Sequence, residues 1–209
     1  MQTPTIVRAH DLPWQPSPSP SVWRKRLFHQ GPAEAGTVNS LVRFDPGSEF
    51  PSHDHPDGEE VLVLEGVYSD ERGSFPAGTF LLSPEGFRHA PFSLQGCLLL
   101  VRLRQYAGTD REQVVLDTKA APWVTLAPGV RKQQLYESAR YPDAKSLIEL
   151  EPGSELPRDE LSEGAELFVL SGELENEEGR HSCHTWLHLP PGGAPRLRTV
   201  EGCRLYVSS

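Results

Sequence analysis

Residues 53–93 read HDHPDGEEVLVLEGVYSDERGSFPAGTFLLSPEGFRHAPFS, and this stretch decides the fold. Its apolar runs, such as VLVLEG and GTFLLSP, are short, rich in β-branched and aliphatic residues, and bounded by Gly, Pro, Asp and Ser. No long segment shows the 3.6-residue period of an amphipathic helix. The pattern therefore predicts an all-β protein built as a sandwich or barrel.

Four side chains in this stretch have the composition of a metal site. His53, His55 and Glu59 share sequence parity, so on a strand they project from one face. His89 follows a Pro-Glu-Gly turn that brings a second hairpin alongside the first. Three imidazoles and a carboxylate suit Zn or Fe(II), with Mn, Ni or Cu as further candidates, better than Ca or Mg. We predict one divalent transition metal bound by these four residues.

The chain repeats itself. Residues 44–101 align with residues 150–207 without a gap, at an offset of 106, and both copies start near a Pro-Gly-Ser-Glu motif and end near a Gly-Cys pair. Self-similarity over such a length indicates two copies of one structural unit. We predict an N-terminal arm at residues 1–20, a metal-binding unit at 21–112 and a degenerate unit at 113–209.

The repeat also separates ligands from structural residues. Glu60 aligns with Glu166 in a copy that lacks the other ligands, so Glu60 is interpreted as structural and Glu59 as the ligand. The ligand positions correspond in the second copy to Asp159, Leu161, Ala165 and Pro195. Only the aspartate among them can bind a metal, so no equivalent site is expected there.

The remaining histidines and the cysteines are predicted to be structural or solvated. In the second copy, His181, Cys183, His184 and His188 match no ligand position and are expected on solvated strands or loops. Cys97 and Cys203 occupy equivalent places on apolar strands and are expected in the core. Without a CxxC motif, three cysteines fit a reducing compartment.

Bulk properties exclude several classes of partner. The formal net charge of −9 disfavours nucleic acid, because duplex binding requires Lys and Arg to neutralise phosphates. The one basic cluster, Arg24-Lys25-Arg26, is predicted to be a solvated strand face, with a partner-binding patch as the alternative. No signal peptide and no apolar run of about 20 residues is present, so we expect a cytoplasmic protein that does not contact membranes. By fold analogy a homodimer formed through the N-terminal arm is also expected.

The spacing resembles the two cupin motifs. Gly47, His53, His55, Glu59 and Gly66 reproduce the first motif, and Gly78, Pro84, Gly86 and His89 reproduce the second, with Ser93 in place of the usual asparagine. The sequence within and between these motifs is similar to that of the cupin-like domain of the ChrR family of zinc-binding anti-sigma factors. The resemblance implies a tandem cupin, with a jelly-roll barrel in each half and His53, His55, Glu59 and His89 as ligands. The first twenty residues do not match the helical, zinc-binding domain with which ChrR holds its sigma factor.

Two functions follow as expectations. In the first, a three-His, one-Glu metal binds a small-molecule substrate and O2, as in cupin dioxygenases, with Glu59 as a catalytic base and some of Phe50, Phe75, Phe80 and Phe92 as pocket walls. In the second, the metal is a zinc that senses a ligand or oxidant, and the barrel acts on a sigma factor or another protein partner. The sequence favours the enzyme slightly.

Overall fold

The computed structural model describes residues 4–32, 35–192 and 195–209, which form two compact units. The first unit spans Asp11–Ala120, and the second joins the described residues through His10 to Ala121–Ser209. The strands of the first unit are β2 Gln15–Pro16, β3 Val22–Gln30, β4 Thr37–Phe44, β5 Ser48–Glu49, β6 His53–His55, β7 Glu59–Asp70, β8 Gly73–Pro76, β9 Thr79–Ser83, β10 Phe87–His89, β11 Phe92–Ser93, β12 Cys97–Leu103 and β13 Val114–Asp117. The strands of the second unit are β1 Thr5–Arg8, β14 Val124–Ala127, β15 Val130–Tyr136, β16 Lys145–Leu150, β17 Ala165–Asn176, β18 Gly179–Ser182, β19 Thr185–Leu189 and β20 Cys203–Ser208. Two short 3-10 helices cover Ala9–Asp11 and Arg158–Leu161.

The same strand order recurs in both units, which confirms the predicted all-β repeat. The main sheet of the first unit runs β13-β9-β7-β12-β4-β3-β2, with antiparallel pairing throughout, and β6 and β10 form a separate two-stranded sheet. That of the second runs β1-β19-β17-β20-β16-β15-β14. The central order β9-β7-β12-β4-β3 thus matches β19-β17-β20-β16-β15, as a jelly-roll barrel duplicated within one chain requires.

A glycine marks the same bulge in each copy. The pairing of β7 with β12 shifts register around Leu64, and that of β17 with β20 shifts around Leu170. Gly66 and Gly172 follow these bulges with φ of 71° and 74°. A Cβ at either glycine would lie 2.1 Å from the carbonyl oxygen of the residue before the cysteine on the partner strand. Only glycine therefore allows the two strands to pack this closely.

The unit boundaries differ from those predicted. Thr5–Arg8 is not part of a free arm, because it pairs antiparallel with β19 as an edge strand of the second unit. Val114–Asp117 pairs with β9 of the first unit, which moves the boundary from residue 112 to residue 120. The pairing of a short edge strand with a distant partner is not visible in the local sequence. Thr5–Arg8 was therefore predicted to be part of an arm, and Val114–Asp117 was placed on the wrong side of the boundary. The homodimer expected through the arm stays a prediction.

Each unit has its own apolar core. Cys97 and Cys203 are buried in equivalent places, 5 % exposed each, and burial raises the pKa of both thiols to about 11, as expected for core residues rather than reactive thiols. Neither forms a disulfide. In the part of the chain that the structure describes, no helix has the length and apolar character needed to cross a bilayer.

Candidate metal centre

The three predicted histidines of the first unit share one face of the two-stranded sheet. β6 and β10 pair antiparallel with His89 opposite His53 and Phe87 opposite His55. Alternate residues of a strand face the same side, and so do directly opposed residues of paired strands. His55 and His89 are buried, at 5 % and 2 % exposure, and His53 is half-buried. The pairing of β6 with β10 thus brings together residues that lie more than thirty positions apart.

The ring nitrogens of these histidines converge. One nitrogen from each of His53, His55 and His89 lies within 4.8 Å of the other two. The Nε2 atoms of His55 and His89 are 2.9 Å apart, and the ring of His53 lies 4.6 Å from that of His55 and 5.1 Å from that of His89, centroid to centroid. No second cluster of this kind occurs among the described residues.

Glu59 lies beside two of the three histidines, at the start of β7. Its Oε2 is 3.5 Å from His55 Nε2 and 3.6 Å from His89 Nε2. Burial raises the pKa of this carboxyl, against the opposing influence of His89 and His53. Glu60 points the other way, as its parity requires, and accepts a hydrogen bond from Arg102 at 3.0 Å. The geometry thus brings Glu59, rather than Glu60, to the histidines.

Hydrogen bonds from the second ring nitrogen orient two of the histidines. His89 Nδ1 lies 3.2 Å from Asp70 Oδ2 and 3.5 Å from the Tyr68 hydroxyl, and His53 Nδ1 lies 2.8 Å from the carbonyl oxygen of Pro51. Carboxylate and carbonyl oxygens only accept, so Nδ1 donates in each ring and Nε2 keeps its lone pair. Partners of this kind accompany metal-binding histidines and fix the ligand atom.

Asp70 is itself held by a cation. Arg72 Nε donates to both carboxylate oxygens of Asp70, at 3.1 Å and 3.0 Å. Burial alone would raise the pKa of Asp70, but the hydrogen bonds from His89 and Arg72 hold it well below its usual range. Asp70 is therefore a fixed negative charge behind His89.

Sequence reasoning missed Tyr68 and Asp70 for a definite reason. By simple alternation both fall on the face of β7 opposite Glu59. The bulge around Leu64 inserts one extra residue, which returns Tyr68 and Asp70 to the face that carries Glu59. The signal that could have found them is Gly66, because a glycine inside an apolar strand often marks a bulge.

His55 is held in its neutral form. Burial, followed by the nearby His89, His53 and Arg104, lowers the pKa of His55 to about 3. A metal binds the unprotonated imidazole, so no proton has to be removed from His55 at neutral pH before a metal binds.

The donor set fits a divalent transition metal. Donors that share one ion at about 2.1 Å lie roughly 3 to 3.5 Å from one another, depending on the coordination angle. The spacings among His55 Nε2, His89 Nε2 and Glu59 Oε2 are 2.9, 3.5 and 3.6 Å, close to that range. An imidazole and carboxylate set selects Zn, Fe(II), Mn, Ni or Cu.

The cluster opens into a cavity of about 280 Å³ inside the first barrel. Most of its wall is apolar, including Val42, Phe44, Leu99 and Val101, and Phe50 packs beside His53 at 4.9 Å between ring centroids. Of the four phenylalanines considered as walls, Phe50 alone lines the cavity. The others lie elsewhere: Phe75 and Phe80 are buried in the core, and Phe92 pairs with β5 and β7.

The basic cluster on β3 is not a solvated face. Arg24 and Arg26 alternate with Lys25 and, together with the buried Val22, line the cavity as half-buried side chains. Lys25 points away from the cavity, with its Nζ 4.9 Å from the ring centroid of Trp14. The prediction was wrong because charge alone was taken to indicate exposure, although strand alternation puts Arg24 and Arg26 on the face of Val22.

The second unit fills the equivalent space with leucine. Four cavity-lining residues of the first unit, Phe50, His55, Tyr68 and Pro91, correspond to Leu156, Leu161, Leu174 and Leu197. These leucines belong to one core cluster and are at most 3 % exposed. Of the other three ligand positions, Ala165 joins this core, Asp159 is exposed and Pro195 is half-buried.

The extra histidines of the second unit do not converge. His181 was expected in solvent but is fully buried, with Nε2 donating to Asn176 Oδ1 at 2.7 Å. It occupies the position of the buried Phe75 in the first unit, which explains its burial. His184 stacks on Phe168 and His188 on Trp186, while Cys183 is exposed.

The sequence profile of the ChrR Cupin-like domain matches residues 2–107 and again residues 111–209. The chain belongs to this family. The two matches cover nearly the whole chain and correspond to the two halves of the repeat, so the predicted ChrR-type tandem cupin is confirmed. Comparison with curated protein sequences gives no significant match.

Solved structures agree with the family on the fold. A protein from Nostoc punctiforme, provisionally named a dioxygenase, superposes with a TM-score of 0.79 at 16 % identity, over 98 % of this chain and 81 % of that one. A provisionally named glyoxylate-induced protein from Pseudomonas aeruginosa gives 0.77 at 12 % identity, over 100 % and 89 %. The bacterial pirin YhhW from Escherichia coli, in complex with nickel(II), gives 0.74 at 14 % identity, over 99 % and 98 %. At these identities the likeness establishes the cupin fold alone.

Proposed function

We propose that the first unit is a metal-dependent enzyme for a small molecule, of the dioxygenase type, with one divalent metal held by His53, His55, Glu59 and His89. The observation that carries the proposal is the cavity of about 280 Å³ onto which all four side chains open. A structural metal is closed off by its protein ligands, whereas a catalytic metal keeps a coordination position open to substrate, which the cavity beside these four residues would provide. A largely apolar cavity beside a metal cluster is the arrangement of a substrate site.

Each part of the site has a role in this proposal. The bound metal would supply Lewis acid and redox chemistry. Asp70 and Pro51 hold His89 and His53 in the tautomer that presents Nε2 to the metal. The apolar walls exclude water from the substrate. The Glu59 carboxylate faces the cavity, so its Oε2 can accept a proton from a bound substrate.

The comparisons give partial support. Pirin YhhW shares the fold over the full chain and binds nickel(II) in its crystal structure, and a further neighbour is provisionally named a dioxygenase. The family description supports a second candidate, a zinc-binding regulator that acts on a sigma factor or another protein partner. That role suits a zinc enclosed by protein, without an accessible cavity. The cavity beside His53 therefore favours the enzyme.

Elemental analysis tests the proposal. The protein is purified anaerobically without added metal, beside the double variant His53→Ala/His89→Ala. We expect one equivalent of iron, nickel or manganese in the wild type and less than a tenth of that in the variant, because two of four ligands are gone. Oxygen uptake with β-diketones, thiols and phenolic ketones then identifies the reaction.

A matched control removes two imidazoles elsewhere. His29 and His188 are exposed and lie outside the cluster, so His29→Ala/His188→Ala should keep the full metal content. One tightly held zinc that exchanges no coordinated water would support the regulator instead. Equal metal content in the wild type and in His53→Ala/His89→Ala would refute the site altogether.

A further inference from the structure

Two arginines on β3 face the interior of the first barrel. Val22, Arg24 and Arg26 occupy alternate positions, and β3 pairs with β4 so that Arg24 lies opposite Val42 and Arg26 opposite Ser40. All five residues line the cavity. Directly opposed residues share a sheet face, so both arginines belong to the face that forms the cavity wall.

A third arginine reaches the cavity from the end of β12. Arg104 lines the cavity in a left-handed backbone conformation, with φ of 60°. Its backbone N–H donates to the carbonyl oxygen of Gly58, at 3.0 Å, in the turn between His55 and Glu59. The turn therefore fixes the backbone of Arg104 beside the segment that carries His55 and Glu59.

Among the described residues that line the cavity, arginines outnumber carboxylates. The carboxylates in this described part are Glu59, which the proposed metal would engage, and Asp54, which is exposed and forms an ion pair with Arg88 at 3.3 Å. Arg24, Arg26 and Arg104 oppose these two. A cavity with several cations in low-dielectric walls concentrates anions, and a guanidinium binds a planar carboxylate with two parallel hydrogen bonds.

We infer that the cavity binds a small organic carboxylate, with Arg24, Arg26 and Arg104 recognising the carboxylate and the apolar wall accommodating an uncharged body. This inference names the substrate class of the proposed function and rests on it for the role of the metal. An organic carboxylate is favoured over inorganic phosphate because most of the wall is apolar and suits an organic body. The size of the cavity, near the lower end of the roughly 300–1,000 Å³ found for ligand pockets, limits the ligand to a small molecule.

Calorimetric titration of the full chain tests this inference. Benzoylformate is compared with its uncharged analogue benzoylformamide, and inorganic phosphate is the third probe. We expect benzoylformate to bind at least tenfold more tightly than the amide and than phosphate. In Arg24→Gln/Arg26→Gln the affinity for benzoylformate should fall at least tenfold and the preference over the amide should vanish.

Control variants separate recognition from folding. Arg43 lies on the neighbouring β4 with its guanidinium over Trp14, outside the cavity, so Arg43→Gln should titrate like the wild type. Arg24→Lys/Arg26→Lys keeps the charge and should recover part of the preference. Equal binding of acid and amide, tighter binding of phosphate, or an unchanged preference in Arg24→Gln/Arg26→Gln would each overturn the inference.

Metal content, measured on the same samples, separates this test from that of the proposed function. A preference for the carboxylate in protein that contains no metal would refute the proposed metal chemistry and leave the arginine site standing. Full metal content without a preference for the carboxylate would refute the arginine site and leave the proposed metal chemistry standing.

Discussion

His55 in the first unit and Leu161 in the second hold equivalent positions in two copies of one barrel, yet their surroundings are opposite. His55 opens onto a cavity beside two more histidines and a carboxylate, whereas Leu161 packs into a continuous leucine core. The strand order, the bulge and its glycine are the same in both units. The cupin scaffold therefore does not depend on its site. A few substitutions inside the barrel separate a unit built for binding from one built for stability.

The largest expected effect concerns the filled barrel. Leu161→Ala should lower the free energy of unfolding by about 2–5 kcal/mol, since it leaves a void in a close-packed core. His55→Ala in chelator-treated protein should cost less, because that side chain already borders a cavity. Urea denaturation of both variants compares them directly. A loss for His55→Ala as large as that for Leu161→Ala would show that the first barrel relies on its histidines for packing.

The shared bulge should be equally indispensable in both units. Gly66→Ala and Gly172→Ala each force a Cβ against a backbone oxygen at a positive φ. Each should lower the free energy of unfolding by about 3 kcal/mol, the upper end of most single substitutions. Hydrogen exchange followed by mass spectrometry reports which unit loses protection. Disruption of one unit by its variant and tolerance in the other would mean that the two bulges are not equivalent.

Acid should lower the stability of the first unit through His55. The equivalent residue of the second unit, Leu161, does not titrate. The pKa of His55 is lowered to about 3, so between pH 6.5 and 3 the unfolded chain binds a proton that the folded chain does not. Stability of metal-free protein should then fall with pH by about 1.4 kcal/mol per unit, starting below pH 6.5. Urea titrations between pH 7 and pH 5 measure this slope above the range where most carboxylates titrate. His55→Leu, which copies the second unit, should flatten the slope, and an equal slope in wild type and variant would contradict the assignment.

The smallest expected effect concerns the carboxylate behind His89. Asp70 corresponds to Asn176 in the second unit, so Asp70→Asn gives the first unit the uncharged residue that the second unit has at this position. Loss of this charged acceptor should weaken metal binding by roughly 10- to 100-fold. Competition with a chelator of known affinity measures the change. Asp54→Asn removes an exposed carboxylate that lines the same cavity and should leave metal affinity unchanged; equal losses in both variants would point to general electrostatics.

Much of this contrast could be predicted from sequence, for physical reasons. The repeat, the turn glycines and the strand alternation are local signals, and they gave the all-β tandem fold and the proposed ligand set. His53, His55 and His89 do converge, as the motif spacing predicted, although β6 and β10 are separated in the chain by three other strands. Alternation also separated Glu59 from Glu60.

The rest depended on information that is not local. Tyr68 and Asp70 reach the site through a bulge, which reverses the alternation on which the prediction depended. The direction of Arg24 and Arg26 depended on which face of β3 is interior. His181 is buried because its position in the second unit is equivalent to that of the buried Phe75 in the first. The role of Thr5–Arg8 depended on a partner strand about 180 residues away. Each of these is decided by tertiary packing rather than by neighbouring residues.

The pairing of β1 with β19 imposes an order on the synthesis of the molecule. Thr5–Arg8 leaves the ribosome about 180 residues before its partner Thr185–Leu189. At roughly 5–20 residues per second, the strand waits about 10 to 40 s for that partner. The first unit, whose strands are all translated in the interval, can fold before the second unit receives its edge. Removal of Thr5–Arg8 would therefore act on the second unit, whose other strands are translated after the whole of the first unit.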